Sequence, residues 1–205
     1  MIYKSISYSD NTYLVYDEST RNGVIIDPGC TMDKIEKLID DNNVHVKYIF
    51  LTHCHYDHIK SVNTLKEKTG AQLVTGDNCS INIKNININL SLYGLGYEIS
   101  DIDADKILKD NEKLIFDNIE IKCIYTPGHT DCSVCFIIEN EIFSGDTLFL
   151  RSCGRWDLPT GDFSTIEKSI KERLYSMPDD MNVHPGHGAS TTIGYEKKYN
   201  FCIKL

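Results

Sequence analysis

The stretch Thr52-His53-Cys54-His55-Tyr56-Asp57-His58 follows directly on the apolar run Tyr48-Ile49-Phe50-Leu51, so a strand ends by delivering three imidazoles and a carboxylate within six positions. Neutral imidazole and carboxylate suit zinc, manganese or iron, whereas a soft thiolate site needs cysteines at ligand spacing. The chain has seven histidines and none in its first forty residues, so three in one loop argue against chance composition. Cys54 alternates with the ligand candidates and is expected to point away from them. Asp57 has a second, structural reading as the cap of a following helix, whose stripe is Ile59, Val62 and Leu65 and whose end lies near Gly70.

Upstream of this stretch, Ile2 to Ser7, Thr12 to Tyr16 and Val24-Ile25-Ile26 read as short strands of a meander, the last ended by Asp27-Pro28-Gly29. Thr31 is placed to cap a helix with Met32, Ile35, Leu38 and Ile39 at helical spacing. Downstream, Ala71 to Thr75 is a strand, and Asn78 to Tyr97, with its Ile-Asn alternation, reads as a surface excursion because asparagine is a poor strand former. Strand signals return from Lys106, where a second sheet region is expected to begin, and continue through Ile119 to Tyr125. A helix is expected from the capping-box spacing of Ser164-Thr165-Ile166-Glu167, with Ile166, Ile170, Leu174 and Met177 buried.

Composition narrows the function. The 205 residues suffice for one domain, expected to span 1–205, and 41% hydrophobic with 25% charged residues is ordinary for a globular chain. A net charge of −9 without a basic patch disfavours nucleic acid as a partner. No stretch approaches the ~18 apolar residues of a membrane span, and the first residues lack a signal-peptide core, so a cytoplasmic protein with no membrane partner is expected. In that setting the eight cysteines read as reduced thiols, and the Cys132/Cys135 pair as structural, since its members point to opposite faces of a strand.

Three later strand ends repeat the opening pattern: His129 in Thr126-Pro127-Gly128-His129-Thr130, Asp146 in Phe143-Ser144-Gly145-Asp146-Thr147, and His187 in His184-Pro185-Gly186-His187-Gly188. With His53, His55, Asp57 and His58 they make seven ligand candidates, enough for two cations if the strands end at one edge.

These motifs resemble those of the metallo-β-lactamase fold hydrolases, in the glyoxalase II-like (hydroxyacylglutathione hydrolase-like) branch. His-Cys-His-Tyr-Asp-His at 53–58 is similar to H-x-H-x-D-H, Thr126 to Thr130 to T-P-G-H-T, and Ser144 to Phe149 to S-G-D-T-L-F. Gly154 to Pro159 resembles G-R-T-D-L/F-P, and Pro185 to Gly188 with Thr191 to Gly194 resembles P-G-H-G followed by T-x-I-G. The resemblance implies an α+β fold, a four-layer αββα sandwich. It implies two divalent cations, zinc in the first place with iron or manganese as alternatives: one held by His53, His55 and His129, the other by Asp57, His58 and His187, with Asp146 bridging. It further implies a small-molecule thioester substrate, with Asp57 also orienting the nucleophile. Two cations lower the pKa of a shared water from ~15.7 to near 7, which supplies hydroxide at neutral pH. The branch's helical C-terminal domain is not expected here. Lys60 and Trp156 depart from the pattern and are read as solvated and surface-packed, or as facing the substrate; Arg155 and Asp157 are read as supports of the ligand loops or as a simple ion pair. A second activity shares the motifs: a persulfide dioxygenase with a single iron on His53, His129 and Asp146. The sequence leaves the oligomeric state open.

Overall fold

Alternating apolar and polar positions organise the chain into two six-stranded sheets, described by the computed structural model for residues 2–7 and 10–204. The first sheet has the order β1 (Ile2–Ser7), β2 (Asn11–Tyr16), β3 (Asn22–Ile26), β4 (His45–Phe50), β5 (Gln72–Gly76), β6 (Lys106–Leu108). Its first pairs are antiparallel; β3–β4, β4–β5 and β5–β6 are parallel, each joined through helical connections. The helices are α1 (Met32–Asn42), α2 (Tyr56–Ile59), α3 (Val62–Thr69), α4 (Asp77–Asn82), α5 (Ile86–Asn89) and α6 (Ser91–Leu95).

The second sheet collects β7 (Lys113–Phe116), β8 (Ile119–Tyr125), β9 (Val134–Ile138), β10 (Glu141–Gly145), β13 (Asn182–Pro185) and β14 (Thr191–Thr192). Between β10 and β13 lie the ribbon β11 (Leu148–Phe149) and β12 (Ser152–Cys153) and helix α7 (Phe163–Lys168); α8 (Ile193–Tyr199) follows β14. Because β8–β9 and β9–β10 are antiparallel and β10–β13 parallel, β8, β10 and β13 share one direction and end at one edge.

Period-two alternation then sorts the core into three layers. Along β2, Leu14 and Tyr16 pack outward with Ile35, Val62 and Leu65 of the helices, while Tyr13 and Val15 face inward. The inner layer joins Val24, Ile26, Phe50 and Val74 of the first sheet to Ile121, Val134, Phe136 and Phe143 of the second, with the Phe50 and Phe136 rings edge-on at 4.9 Å. Beyond the second sheet, Ile124, Ile142 and Val183 meet Ile166, Ile170, Leu174 and Ile193 of the C-terminal helices. Helices, sheet, sheet, helices is the αββα sandwich expected from the sequence.

Four local expectations are corrected. Strand β6 pairs with β5, so the second sheet begins at β7. Asp162, not Ser164, caps α7: its side chain accepts from Thr165 N, and Ser164 donates its hydroxyl to the same oxygen. Past α7 the chain continues as a π-helical segment at Ser169–Leu174, which keeps Ile166, Ile170 and Leu174, strictly four apart, on one face. The Asn78 to Tyr97 surface excursion, for which no regular element was expected, holds three short helices. Asn89 is fully buried there; its Nδ2 donates to Ile83 O (2.7 Å) and Ile99 O (2.6 Å), and its Oδ1 accepts from Ser91 N (2.9 Å). Its asparagines are internal ties, a use of side-chain amides that a strand-propensity argument does not detect. Thr31, as expected, occupies the N-cap position of α1, though its side chain makes no cap hydrogen bond.

Candidate metal centre

Each ligand candidate stands just past a strand: His53, His55, Asp57 and His58 after β4, His129 after β8, Asp146 after β10 and His187 after β13. Cross-sheet bonds fix these loops to one another. Val134 N donates to Thr52 O at 2.8 Å, and Asn11 binds the His187 loop through N to Gly186 O (2.7 Å) and Nδ2 to Pro185 O (2.9 Å) and Gly188 O (2.8 Å). All seven candidates converge. Three sets have ligand atoms within 4.8 Å of one another: His53, His55 and His129; His53, His58 and Asp146; Asp57, His58 and His187.

Asp146 lies between the first and third sets. Its Oδ2 is 3.6 Å from His129 Nε2 and 3.5 Å from His187 Nε2, and its Oδ1 is 3.4 Å from His58 Nε2. Asp57 Oδ2 is 3.2 Å from His187 Nε2. His55 Nδ1 faces His129 Nε2 at 2.9 Å. Asp57 sits inside the first turn of α2 rather than at its cap, which is His55, so its structural reading as a cap fails.

The tautomers follow from the outer hydrogen bonds. Thr52 Oγ1 donates to Asp27 Oδ2 (2.6 Å) and therefore accepts from His53 Nδ1 (3.1 Å), which turns a lone pair on His53 Nε2 into the cluster. His58 Nδ1 donates to the same Asp27 oxygen at 3.0 Å, and His129 Nδ1 donates to Arg155 O at 2.6 Å, so both present Nε2. One buried carboxylate thus orients two of the candidate histidines. Sequence reading took Asp27-Pro28-Gly29 for a strand end only. The available signal was that it, too, is a polar residue directly after an apolar strand, and Asp27 holds a left-handed φ of 50° there.

Three buried atoms of the middle set, His53 Nε2, His58 Nε2 and Asp146 Oδ1, have no hydrogen-bond partner. Orphaned buried polar atoms of this kind are costly unless something satisfies them, and a nitrogen and oxygen donor set suits a divalent cation. Burial holds His53 well below its usual pKa and takes His55 down to about 4, so both are neutral imidazoles, the ligating form. At His58 burial opposes charge, but the carboxylates of Asp27, Asp146 and Asp57 raise its pKa well above the usual value. Burial works against the charge of Asp57 and Asp146 as well, and the neighbouring His58 prevails, holding both carboxyls low. Gly186 completes the cradle: a Cβ there would stand 2.2 Å from Asp146 Oδ1 and 2.6 Å from His58 Cε1.

Fold and cluster agree with one profile comparison, in which the Metallo-beta-lactamase superfamily matches residues 8–187. The chain belongs to that superfamily. Among its relatives, the hydroxyacylglutathione hydrolase GloC of Haemophilus influenzae is 32% identical over 200 residues, covering 95% of this chain and 92% of its own. Three solved structures are also similar. The BLEG-1 B3 metallo-beta-lactamase has a TM-score of 0.91 at 29% identity, covering 98% of both chains. TTHA1623 in a di-iron-bound form gives 0.85 at 29% identity, covering 98% and 99%, and ETHE1 from Myxococcus xanthus 0.81 at 28%, covering 98% and 84%.

The other residues singled out in the sequence take structural places. Cys54 is buried and points away from the cluster, its sulfur 3.5 Å from that of Cys132. Cys132 and Cys135 lie in different core layers, and all eight cysteines are free thiols; burial pushes Cys135 up to about 11. Lys60 pairs with Asp10 at 3.5 Å, and Trp156 packs on Phe163 with ring centroids 4.7 Å apart. Arg155 supports the ligand candidate His129, but through its backbone carbonyl; its guanidinium pairs with Asp157 at the surface. Among the described residues no helix is long and apolar enough to cross a membrane.

Proposed function

We propose that this protein is a metal-dependent hydrolase of a small thioester. The observation that carries the reading is the position of Asp146, within 3.6 Å of histidines in both outer ligand sets, as a bridge between two cations requires. On this reading His53, His55 and His129 hold one divalent cation and Asp57, His58 and His187 the other; the donor set admits zinc, iron or manganese. Cations bound there supply Lewis acidity, lowering the pKa of water and polarising a carbonyl.

The chain's own residues do the rest. Asp57 is 25% exposed at the side chain, faces the cavity and has its carboxyl held ionised, so it can accept a hydrogen bond from an attacking water and orient it. The Asp27, Thr52 and Arg155 contacts keep the imidazoles from rotating, which removes a reorganisation cost from the reaction. A thiolate leaving group, with a thiol pKa of ~8.5, departs without a strong acid, in keeping with a cavity that adds no carboxyl to Asp57 and Asp146 among its described lining residues. The name of the GloC relative supports thioester chemistry. A persulfide dioxygenase with one iron on His53, His129 and Asp146 would leave Asp57, His58 and His187 without a role, and their convergence favours the two-cation reading.

The test joins metal analysis of protein purified without added metal to two assays. Thioester cleavage that is lost in Asp146→Ala and His58→Ala supports the proposal. One iron per chain, with oxygen consumed in the presence of a persulfide and thioesters untouched, refutes it.

A further inference from the structure

The cavity above the ligand cluster has a volume of about 800 Å³, far more than the reacting ester group fills, so its walls select the rest of the substrate. Besides the ligand candidates, the lining includes the apolar and aromatic side chains of Leu90, Tyr93, Tyr56, Phe149 and Leu158. Leu90 and Tyr93 come from the asparagine-tied helices, which no motif in the sequence marked.

That wall is held in place with some strain. Helix α6 hangs between two left-handed residues, Leu90 at φ 61° and Gly96 at φ 76°. A left-handed leucine is strained and persists only where its surroundings impose it. Here Asn89 fixes the entry to the helix, and Gly94 lies flat on the Tyr56 ring, so close that a Cβ would fall 2.1 Å from it. The contact ties the wall to the loop of metal-ligand candidates. Tyr93, which lines the cavity, is 95% exposed, an aromatic ring left without cover at the mouth of the site.

Charge points the same way. Among the described lining residues Arg155 is the one arginine or lysine, and Asp157 occupies its fork, with Nε to Oδ1 and Nη2 to Oδ2 both at 2.7 Å. That pair offsets the Arg155 charge, and a substrate carboxylate taking the remaining Nη1 edge would lie beside Asp157 as a like charge. Glutathione brings two carboxylates, and among the described lining residues the one guanidinium available to them is already paired with Asp157.

We propose that the thiol half of the substrate is uncharged and apolar, held by Tyr93 and Leu90 in place of a charged peptide such as glutathione. This rests on the thioester reading. The test uses two pairs of probes with a common lactoyl group: thioesters of glutathione and of benzyl mercaptan, and their non-hydrolysable ketone analogues, in which a methylene replaces the ester sulfur. Binding of the analogues to the protein as purified is measured by titration calorimetry. The expected result is roughly tenfold or tighter binding of the benzyl analogue, with Tyr93→Ala removing most of that preference while Tyr93→Phe retains it. For turnover of the benzyl thioester, Tyr93→Ala raises KM and leaves kcat nearly unchanged, as for contacts equal in ground and transition states. Equal or tighter binding of the glutathione analogue overturns the proposal, as does a preference that Tyr93→Ala leaves intact. Binding preference with no turnover of either thioester refutes the hydrolase reading instead and leaves the apolar subsite standing.

Discussion

Replacing Asp27 by Asn keeps the shape of the side chain and removes one acceptor, and the effect should appear at metals the residue does not touch. In the wild type Asp27 Oδ2 accepts from both His58 Nδ1 (3.0 Å) and Thr52 Oγ1 (2.6 Å), and Thr52 in turn holds His53. Oδ1 accepts Thr52 N at 2.8 Å, so the remaining amide oxygen keeps that bond and the NH2 takes the place of Oδ2. An NH2 there donates to His58 Nδ1, which moves the imidazole proton to Nε2, the ligand atom, and it pushes the Thr52 hydroxyl to donate elsewhere. Loss of one such outer partner costs about 10–100-fold in metal affinity. Because Asp27 serves two histidines the upper end applies, about 100-fold or about 2.7 kcal/mol. Chelator-competition titration reads the affinity, and metal analysis at limiting supply reads the stoichiometry. On the two-cation reading, the cation proposed for Asp57, His58 and His187 should weaken most. A variant that holds both equivalents with wild-type affinity would refute the tautomer argument, and a lowered melting temperature of the metal-free form would not rescue it.

Three further outcomes follow from the same geometry. Gly186→Ala places a methyl 2.2 Å from Asp146 Oδ1, so it should abolish metal retention after dialysis while the circular dichroism of the fold persists; retained metal would contradict the packing. Asn89→Leu leaves three buried backbone partners unpaired at about 1 kcal/mol or more each, so the melting temperature should fall by at least roughly 6–12 °C, with faster amide exchange across residues 82–99. His58, its pKa raised in the metal-free form, must lose a proton to ligate; metal affinity should therefore fall as pH drops below that raised pKa, by about tenfold per unit for one proton, and binding heats should vary with the ionisation enthalpy of the buffer.

Much of the cluster was legible because each ligand candidate is a polar residue placed directly after an apolar strand, a pattern that survives in one dimension. The sandwich was legible from the same alternation together with the motif resemblance. Asp27 escaped because a turn residue and an outer-sphere carboxylate look identical until the partner, here thirty-one positions away, is known. The cavity wall escaped for another reason: Ile81 to Asn89 has a period of two that suggests strands, while Asn85 and Asn89 act by bonding nearby backbone, which is a helix-end and turn chemistry. The start of the second sheet was misplaced by one strand because β6 is short and its parallel partner β5 lies thirty residues earlier.

The seven-residue cluster also spans a seam. Four of its members follow β4 of the first sheet, and three follow β8, β10 and β13 of the second. On the two-cation reading, ions bound there would act as clasps between halves otherwise joined by the inner apolar layer and cross-sheet bonds. Their binding free energy is then added to the cohesion of the halves, about 4.1 kcal/mol for an ion at a thousand times its dissociation constant. Two fragments cut at residues 109–112, between β6 and β7, would each hold an incomplete ligand set, so their reassembly should strengthen with metal concentration and be reversed by a chelator.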